Sequence, residues 1–188
     1  YSAVFPGIEI HVDEGPDGEV AQWLTDHRVD IGFVTLPDDR FDTFPLMEDQ
    51  LVALLPLAHP LAKKNAVTLE ELCASPFAMT RAGSEDIIGG LFRALRLQPT
   101  IRWRSLQLVS TIAAVARGEA VSIVAESALP PDKAQNYVKK PLRPAARRQV
   151  ALAAPDARRM SPAAREFIRM AQEVFPHPAQ SAARPTKR

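Results

Sequence analysis

The order of its secondary-structure signals is the feature that most restricts how this chain can fold. Seven short segments are apolar runs or alternate between apolar and polar residues, and each predicts a β-strand: 8–12, 29–34, 51–55, 77–80, 101–104, 121–124 and 149–153. Segments with apolar residues at helical spacing separate several of these strands. Strands that alternate with helices form βαβ units, beginning here with 8–34. We therefore predict an α/β protein with a parallel sheet.

Capping residues mark where the predicted helices begin and end. Thr68 is expected to cap a short helix, and Ser84 is expected to cap a longer one that carries Glu and Asp in its first turn. Gly118 follows a helical stretch and is typical of a helix C-terminus. Ser161 followed by proline predicts the start of a terminal helix. These signals place the helices independently of the apolar pattern.

Composition narrows the class of protein. The 188 residues are 46% hydrophobic and 24% charged, which is ordinary for a soluble globular protein. Cys73 is the single cysteine, so no disulfide can form within the chain, and a reducing cytoplasm fits best. No apolar run approaches the ~20 residues of a membrane span, and no signal peptide opens the chain. We therefore expect a cytoplasmic protein without membrane contact.

The charge is unevenly distributed along the chain. Residues 1–130 carry 10 basic and 18 acidic side chains, whereas 131–188 carry 13 basic and 4 acidic ones. The basic charges lie among Ala and Pro without the aromatic residues that single-strand binding uses, which favours a solvated or partner-facing surface over direct nucleic-acid contact. Residues 176–188 are small, polar and rich in proline, and are predicted to be a disordered tail.

Catalysis and metal binding find little support in the residues. A nucleophile needs a base beside it, yet the four histidines are scattered over a strand, a helix end, a His-Pro turn and the tail. Ser84 lacks the glycine-flanked elbow of a serine hydrolase, and Cys73 is expected to be a small buried thiol. No metal-ligand spacing or phosphate loop is present. We expect no enzyme activity, no metal and no cofactor.

Three junctions that follow predicted strands are candidates for binding a small ligand. In open α/β sheets, ligands bind outside the carboxyl ends of the strands, and two of these junctions lead into helix N-termini that suit a small anion. The alternative is that these are turn and capping residues alone. The candidate ligand-binding residues are Thr35, Leu36, Thr80, Arg81, Ala82, Gly83, Ser84, Ser105 and Gln107.

The ordered set of motifs resembles the effector-binding domain of LysR-type transcriptional regulators. Its most specific part is the strand LVALLP at 51–56 running on to HPLA at 59–62, followed by Thr68 before Pro76. The other matching segments are FPGIEI at 5–10, EG at 14–15, VDIG at 29–32 and VARGEAVSIV at 115–124. The resemblance covers about residues 5–175 in the right order. Ala120 and Ala125 depart from a glycine and a proline that are usual in the family.

The resemblance implies a type II periplasmic-binding-protein fold of two α/β subdomains. Subdomain I would comprise 1–74 and 147–175, subdomain II would comprise 75–146, and a small molecule, such as a carboxylate or other anion, would bind in the cleft between them. The family domain opens with a strand that is missing here, since Tyr1 falls where the first helix should end. DNA would be bound only through a helix-turn-helix domain that is not in this chain, and the protein would form homodimers or homotetramers.

The favoured hypothesis is a ligand sensor that controls DNA binding. Two alternatives share the expected fold: a solute-binding protein of a transport system, which would need an export signal, and an enzyme, which would need a reactive group at the cleft. Arg81 is the nearest cation to a predicted junction, so an acidic effector is expected to lose affinity in Arg81→Ala.

Overall fold

A computed structural model describes residues 1–81, 83–131 and 136–175. The predicted disordered tail, 176–188, lies outside the described residues, as does Ala82. The strands of the described chain are β1 (Gly32–Leu36), β2 (Asp42–Pro56), β3 (Phe77–Thr80), β4 (Ile101–Ser105), β5 (Val121–Ala125) and β6 (Tyr137–Ala154). Its α-helices are α1 (Asp17–Thr25), α2 (Leu69–Cys73), α3 (Glu85–Ala94), α4 (Leu108–Ala116) and α5 (Pro162–Val174).

The described chain divides into two compact units. The discontinuous unit comprises Tyr1–Glu48 and 149–175, and the continuous unit comprises Asp49–Arg148. Strands β2 and β6 each contribute residues to both units, and the chain passes between units at 48–49 and 148–149. The expected boundaries of 74/75 and 146/147 divide the chain differently, because residues 49–74 fall in the continuous unit. The second half of β2 belongs there through its pairing with β5.

In the discontinuous unit, β1 pairs antiparallel with the end of β6, so that Gly32 lies opposite Ala153. Helix α1 covers this pair, and Leu24, Val34 and Ala153 form one small buried cluster. A second cluster joins Ile168 of α5 to strand residues Leu46 and Leu152. Helices α1 and α5 thus each bury residues of one face against the strands of this unit.

The strands of the continuous unit lie in the order β2-β5-β3-β4. Strand β3 runs parallel to both β4 and β5, whereas β2 runs antiparallel to β5. The main core of the continuous unit surrounds Phe77 and Phe92, whose rings meet edge to face with their centroids 5.3 Å apart. The α/β class is confirmed, and the expected parallel sheet is in fact mixed, because β1–β6 and β2–β5 are antiparallel pairs. An apolar run indicates that both faces of a strand are buried, but it does not indicate whether the strand runs parallel or antiparallel to its neighbours.

Residues 8–12, predicted to be a strand, form none. Ile10 and Val12 are 41% and 86% exposed, and the described backbone hydrogen bonds of this segment are limited to Ile8 N–H donating to the Phe5 carbonyl. A strand exists only through hydrogen bonds to a neighbouring backbone, so alternation without a partner does not form one. The predicted βαβ unit over 8–34 is therefore absent, and β1 pairs with β6 instead.

Most of the predicted helix ends are confirmed. Thr68 and Glu71 form a reciprocal capping box at the start of α2. The Ser161 hydroxyl accepts a hydrogen bond from Ala164 N–H at the start of α5. Gly118, with φ of +79°, ends the α4 region in the left-handed conformation that favours glycine. In the described residues, no helix is long and apolar enough to cross a membrane.

Candidate functional site

Two of the three predicted junctions meet at one edge of the continuous unit. Strands β3 and β4 are parallel neighbours, and their last residues, Thr80 and Ser105, lie opposite each other. The Arg81 N–H continues the pairing by donating to the Ser105 carbonyl at 2.8 Å. The chain leaves β3 for α3 and β4 for α4, so the N-termini of both helices follow directly from this edge.

The loop between β3 and α3 turns sharply at Gly83. This glycine has φ of +66°, and its N–H donates to the Arg81 carbonyl at 3.0 Å. A residue with a Cβ would be strained in that conformation, which explains a glycine at this position. The turn places Ser84 directly before α3, where only 4% of the residue is exposed.

Ser84 occupies the N-cap position of α3, but its side chain does not cap the helix. Its Oγ instead accepts a hydrogen bond from Arg148 Nη1 at 3.2 Å, and the same nitrogen donates to the Gly83 carbonyl at 2.9 Å. Arginine has only donors, so the serine oxygen must be the acceptor, and the hydroxyl proton stays available. Among the described residues, no hydrogen-bond acceptor for that proton is found.

The N-terminus of α3 therefore has donors that the helix itself does not use. The first N–H groups of a helix lack intrahelical acceptors and carry the positive end of its dipole. At α5 the Ser161 hydroxyl satisfies one of them, whereas the corresponding hydroxyl of Ser84 is bonded elsewhere. Gln107, at the N-cap position of α4, also makes no side-chain cap. The edge thus contains hydrogen-bond donors that a small molecule with acceptor oxygens could use.

Arg81 and Arg104 share one carboxylate in front of α3. Arg81 Nε lies 3.2 Å from Glu85 Oε2, and Arg104 is paired with the other oxygen of the same carboxylate. The arginine side chains are 48% and 56% exposed, so these ion pairs hold them only weakly. Asp86, which is exposed in the same turn, offsets the remaining positive charge. Affinity for an anion would therefore come more from hydrogen-bond donors that point at the anion than from net positive charge.

The other candidate residues fall into different surroundings. The Ser105 hydroxyl donates to the Gln107 carbonyl at 2.8 Å and accepts from Gln107 N–H at 3.2 Å, a closed local turn that supports the alternative of a purely structural role. Thr80 is buried at the end of β3. Thr35 and Leu36 lie within β1 of the discontinuous unit, opposite Val150 and Gln149, and not in a loop after it.

A buried ion pair beside this edge was not predicted from the sequence. Arg148 Nη2 and Nε lie 3.0 and 3.2 Å from Asp49 Oδ2, and the carboxylate also accepts from the Ser127 hydroxyl at 2.7 Å and the Ser127 N–H at 3.2 Å. The side chains of Asp49 and Arg148 are only 3% and 14% exposed. Both residues lie within their strands, shortly before the buried runs of β2 and β6, and a charged residue in that position is the signal that could have identified them.

His59 and Ser75 resemble a catalytic pair, but their hydrogen bonds exclude that role. His59 Nδ1 accepts from Leu61 N–H at 3.2 Å, so the proton of the neutral ring is on Nε2. Nε2 lies 3.0 Å from Ser75 Oγ and must donate to it, which leaves no basic nitrogen to activate the serine. Burial lowers the pKa of His59, which disfavours the charged ring.

Cys73 is also a poor nucleophile. Desolvation by burial, with a smaller contribution from Glu70, raises the pKa of its thiol, so the reactive thiolate is disfavoured. The described residues contain no group of three His, Cys, Asp or Glu side chains placed to hold a metal ion. The hydrogen-bonded edge around Ser84 remains the candidate site.

Comparison with known proteins identifies the family. Residues 1–176 match the LysR substrate binding domain. The chain therefore belongs to the LysR substrate-binding-domain family. Its relatives are named as transcriptional regulators and not as enzymes. The expected resemblance is confirmed.

The relatives are regulators that are longer than this chain. The HTH-type transcriptional regulator YvbU of Bacillus subtilis is 29% identical over 174 residues, which cover 91% of this chain and 59% of YvbU. The crystal structure of HinK, a LysR family regulator of Pseudomonas aeruginosa, is 27% identical and has a TM-score of 0.79, covering 93% of this chain and 63% of HinK. The chain thus spans about three fifths of these relatives.

A third comparison concerns the fold alone. The regulatory domain of Synechocystis PCC6803 CcmR, in complex with 2-PG, has a TM-score of 0.85 at 18% identity and covers 93% of this chain and 87% of that domain. The fold is the type II periplasmic-binding-protein-like fold of LysR effector-binding domains, as expected.

Proposed function

We propose that this chain is the ligand-sensing domain of a LysR-type regulator and that it binds a small carboxylate or similar anion at the ends of β3 and β4. The observation that carries the proposal is the buried Ser84 hydroxyl, whose oxygen is held by Arg148 while its proton has no acceptor among the described residues. It lies directly before a helix N-terminus that it does not cap. Carboxylate oxygens are suitable acceptors for both kinds of donor.

The proposed ligand contacts are made by the hydrogen-bond donors at this edge. Ser84 would donate its hydroxyl proton, and the first N–H groups of α3 would donate to the same anion. Arg81 would lie within reach while remaining paired with Glu85. Thr80, Ala82, Gly83, Ser105 and Gln107 remain predicted members of the site, and Thr35 and Leu36 remain predicted ligand-binding residues.

The regulatory function is inferred from the family. The relatives are named as HTH-type transcriptional regulators, and this chain matches about 59% of YvbU, so DNA would be bound by a helix-turn-helix domain outside it. CcmR shows that a domain of the same fold can bind a small molecule, 2-PG. A ligand controls such a protein only by binding one of its conformations more tightly than another. We expect this to occur in the cytoplasm and in a homodimer or homotetramer, which sedimentation of the full-length regulator would test.

The direct test is a panel of small carboxylic acids, each paired with its uncharged amide. Acids that bind should raise the melting temperature of the purified domain, while the paired amides should not. Calorimetry with the tightest acid should then give roughly tenfold weaker binding for Ser84→Ala, because one charge-assisted hydrogen bond is lost. Arg81→Ala should also bind the acid more weakly than the unmodified chain.

The control variant is Ser2→Ala, an exposed serine of the discontinuous unit. It should leave acid binding unchanged. If amides bind as well as acids, or if Ser84→Ala and Ser2→Ala bind the acid equally well, the proposed site is wrong.

A further inference from the structure

The ion pair between Asp49 and Arg148 connects the candidate site with the two strands that run between the units. Asp49 is the first residue of the continuous unit on β2, and Arg148 is its last residue on β6. The two residues are 99 positions apart in the sequence, yet their charged atoms are 3.0 Å apart. Both points at which the chain leaves the continuous unit are therefore bonded to each other.

Arg148 uses different nitrogens for its two sets of partners. Nε and Nη2 face Asp49, and Nη1 donates to Ser84 Oγ and the Gly83 carbonyl. The guanidinium group is planar and rigid, so fixing one edge against a carboxylate also fixes the direction of the remaining nitrogen. Ser127 fixes the carboxylate in turn through its hydroxyl and its N–H.

We propose that Asp49 and Arg148 are positioning residues for the effector site, an inference that rests on the proposed function. Arg148 holds Ser84 so that the hydroxyl proton and the first turn of α3 face a ligand, and Asp49 acts through Arg148. A ligand that accepts a hydrogen bond from the Ser84 hydroxyl is therefore connected, through the Arg148 guanidinium group, to β2 and β6. The connection reaches these strands at the points where they leave the continuous unit.

The linkage has a direct test that needs no ligand. Amide hydrogen exchange reports local opening of individual hydrogen bonds. The Gly83 N–H is bonded to the Arg81 carbonyl, and the Ile88 N–H is bonded to the Ser84 carbonyl. In Asp49→Asn, both amides should exchange about tenfold faster, beyond any change shared by the amides of β5, because the loop has lost its anchor. Unchanged exchange at these amides, or an equal increase across the unit, would overturn the linkage.

Two milder variants keep the test decisive if Asp49→Asn does not fold. Ser127→Ala removes one hydrogen bond from the carboxylate and should give a smaller increase at the same two amides. Arg148→Lys keeps the charge beside Asp49, but an ammonium group cannot hold the two sets of partners in one plane. Arg40→Lys, at an ion pair with Asp38 in the discontinuous unit, is the matched control and should leave both amides unchanged.

The effect on binding is measured with acetate as the probe. Acetate affinity should fall about tenfold in Arg148→Lys, even at temperatures where the variant is fully folded, and should be unchanged in Arg40→Lys. Equal affinity of Arg148→Lys and the unmodified chain would overturn the positioning role. If neither acetate nor any other acid of the panel binds the unmodified chain, the proposed function fails, while the exchange experiment still decides whether the ion pair orders the loop.

Discussion

Ser84 and Ser161 both stand one residue before a helix, yet their hydroxyl groups have different partners. Ser161 Oγ accepts from Ala164 N–H at 3.1 Å, whereas Ser84 Oγ accepts from Arg148. The local sequence predicts the N-cap position correctly in both cases. The role of Ser84 depends on an arginine 64 residues away, and no local pattern contains that information.

These two serines give a prediction at the scale of single residues. Ser161→Ala should lower the free energy of unfolding by about 1 kcal/mol, because the α5 N–H group loses its acceptor. Ser84→Ala removes no helix cap, but it takes an acceptor from the largely buried Arg148 guanidinium group, so it should cost at least as much. Urea unfolding of both variants measures the two losses. A clearly smaller loss for Ser84→Ala would mean that its hydrogen bond to Arg148 contributes little to the stability of the fold.

His59 gives a prediction about pH. Burial lowers its pKa in the folded protein, so below about pH 6.5 the unfolded chain binds a proton more readily than the folded one. The contribution of the neutral ring to stability is therefore complete above about pH 6.5, and it is lost progressively as the pH falls from that value through the lowered pKa of the folded protein. Unfolding free energies at pH 7.5 and 5.5 should show a smaller decrease for His59→Asn, since asparagine can also accept from Leu61 N–H but does not titrate.

The control for His59 is another histidine on the surface. His11→Asn removes a side chain that is 82% exposed and should keep the pH dependence of the unmodified chain. A decrease of equal size in His59→Asn and the unmodified chain would assign the pH dependence to other groups.

At the scale of elements, Gly90 and Gly118 should respond oppositely to alanine. Gly90 lies inside α3, and a Cβ there would meet only the end of the Arg93 side chain at 3.9 Å, so Gly90→Ala should stabilise the protein by roughly 0.5–1 kcal/mol. Gly118 has open space but φ of +79°, so Gly118→Ala should destabilise it by about 1 kcal/mol. Thermal unfolding of the two variants measures both changes in stability. Changes of the same sign in the two variants would contradict this explanation.

The same elements separate what the sequence can predict from what it cannot. Thr68 and Gly118 act within a few residues, so their roles can be predicted locally. Segment 8–12 has the alternation of a strand, but forming one requires a partner backbone that alternation does not specify. The direction of β1 likewise depends on β6, more than 100 residues later in the chain. Local chemistry is thus predictable from one segment, while pairing is not.

At the scale of the whole molecule, the candidate site could be predicted in part. The meeting of the ends of β3 and β4 follows from two parallel strands that end at one edge, and in the structure Thr80 lies opposite Ser105. Asp49, Ser127 and Arg148 were missed because they converge from β2, from the turn after β5 and from β6. Their binding partners are distant in sequence, so only the folded chain brings them together.

The most direct test of ligand binding at this edge is an NMR titration of the isotopically labelled domain with the tightest acid from the panel. We predict saturable shifts of the backbone amides at 83–88 and 105–108, with those of Ser84 and Glu85 among the largest. Saturable binding that leaves these amides unperturbed and shifts residues elsewhere would contradict the assignment of the effector site to the ends of β3 and β4.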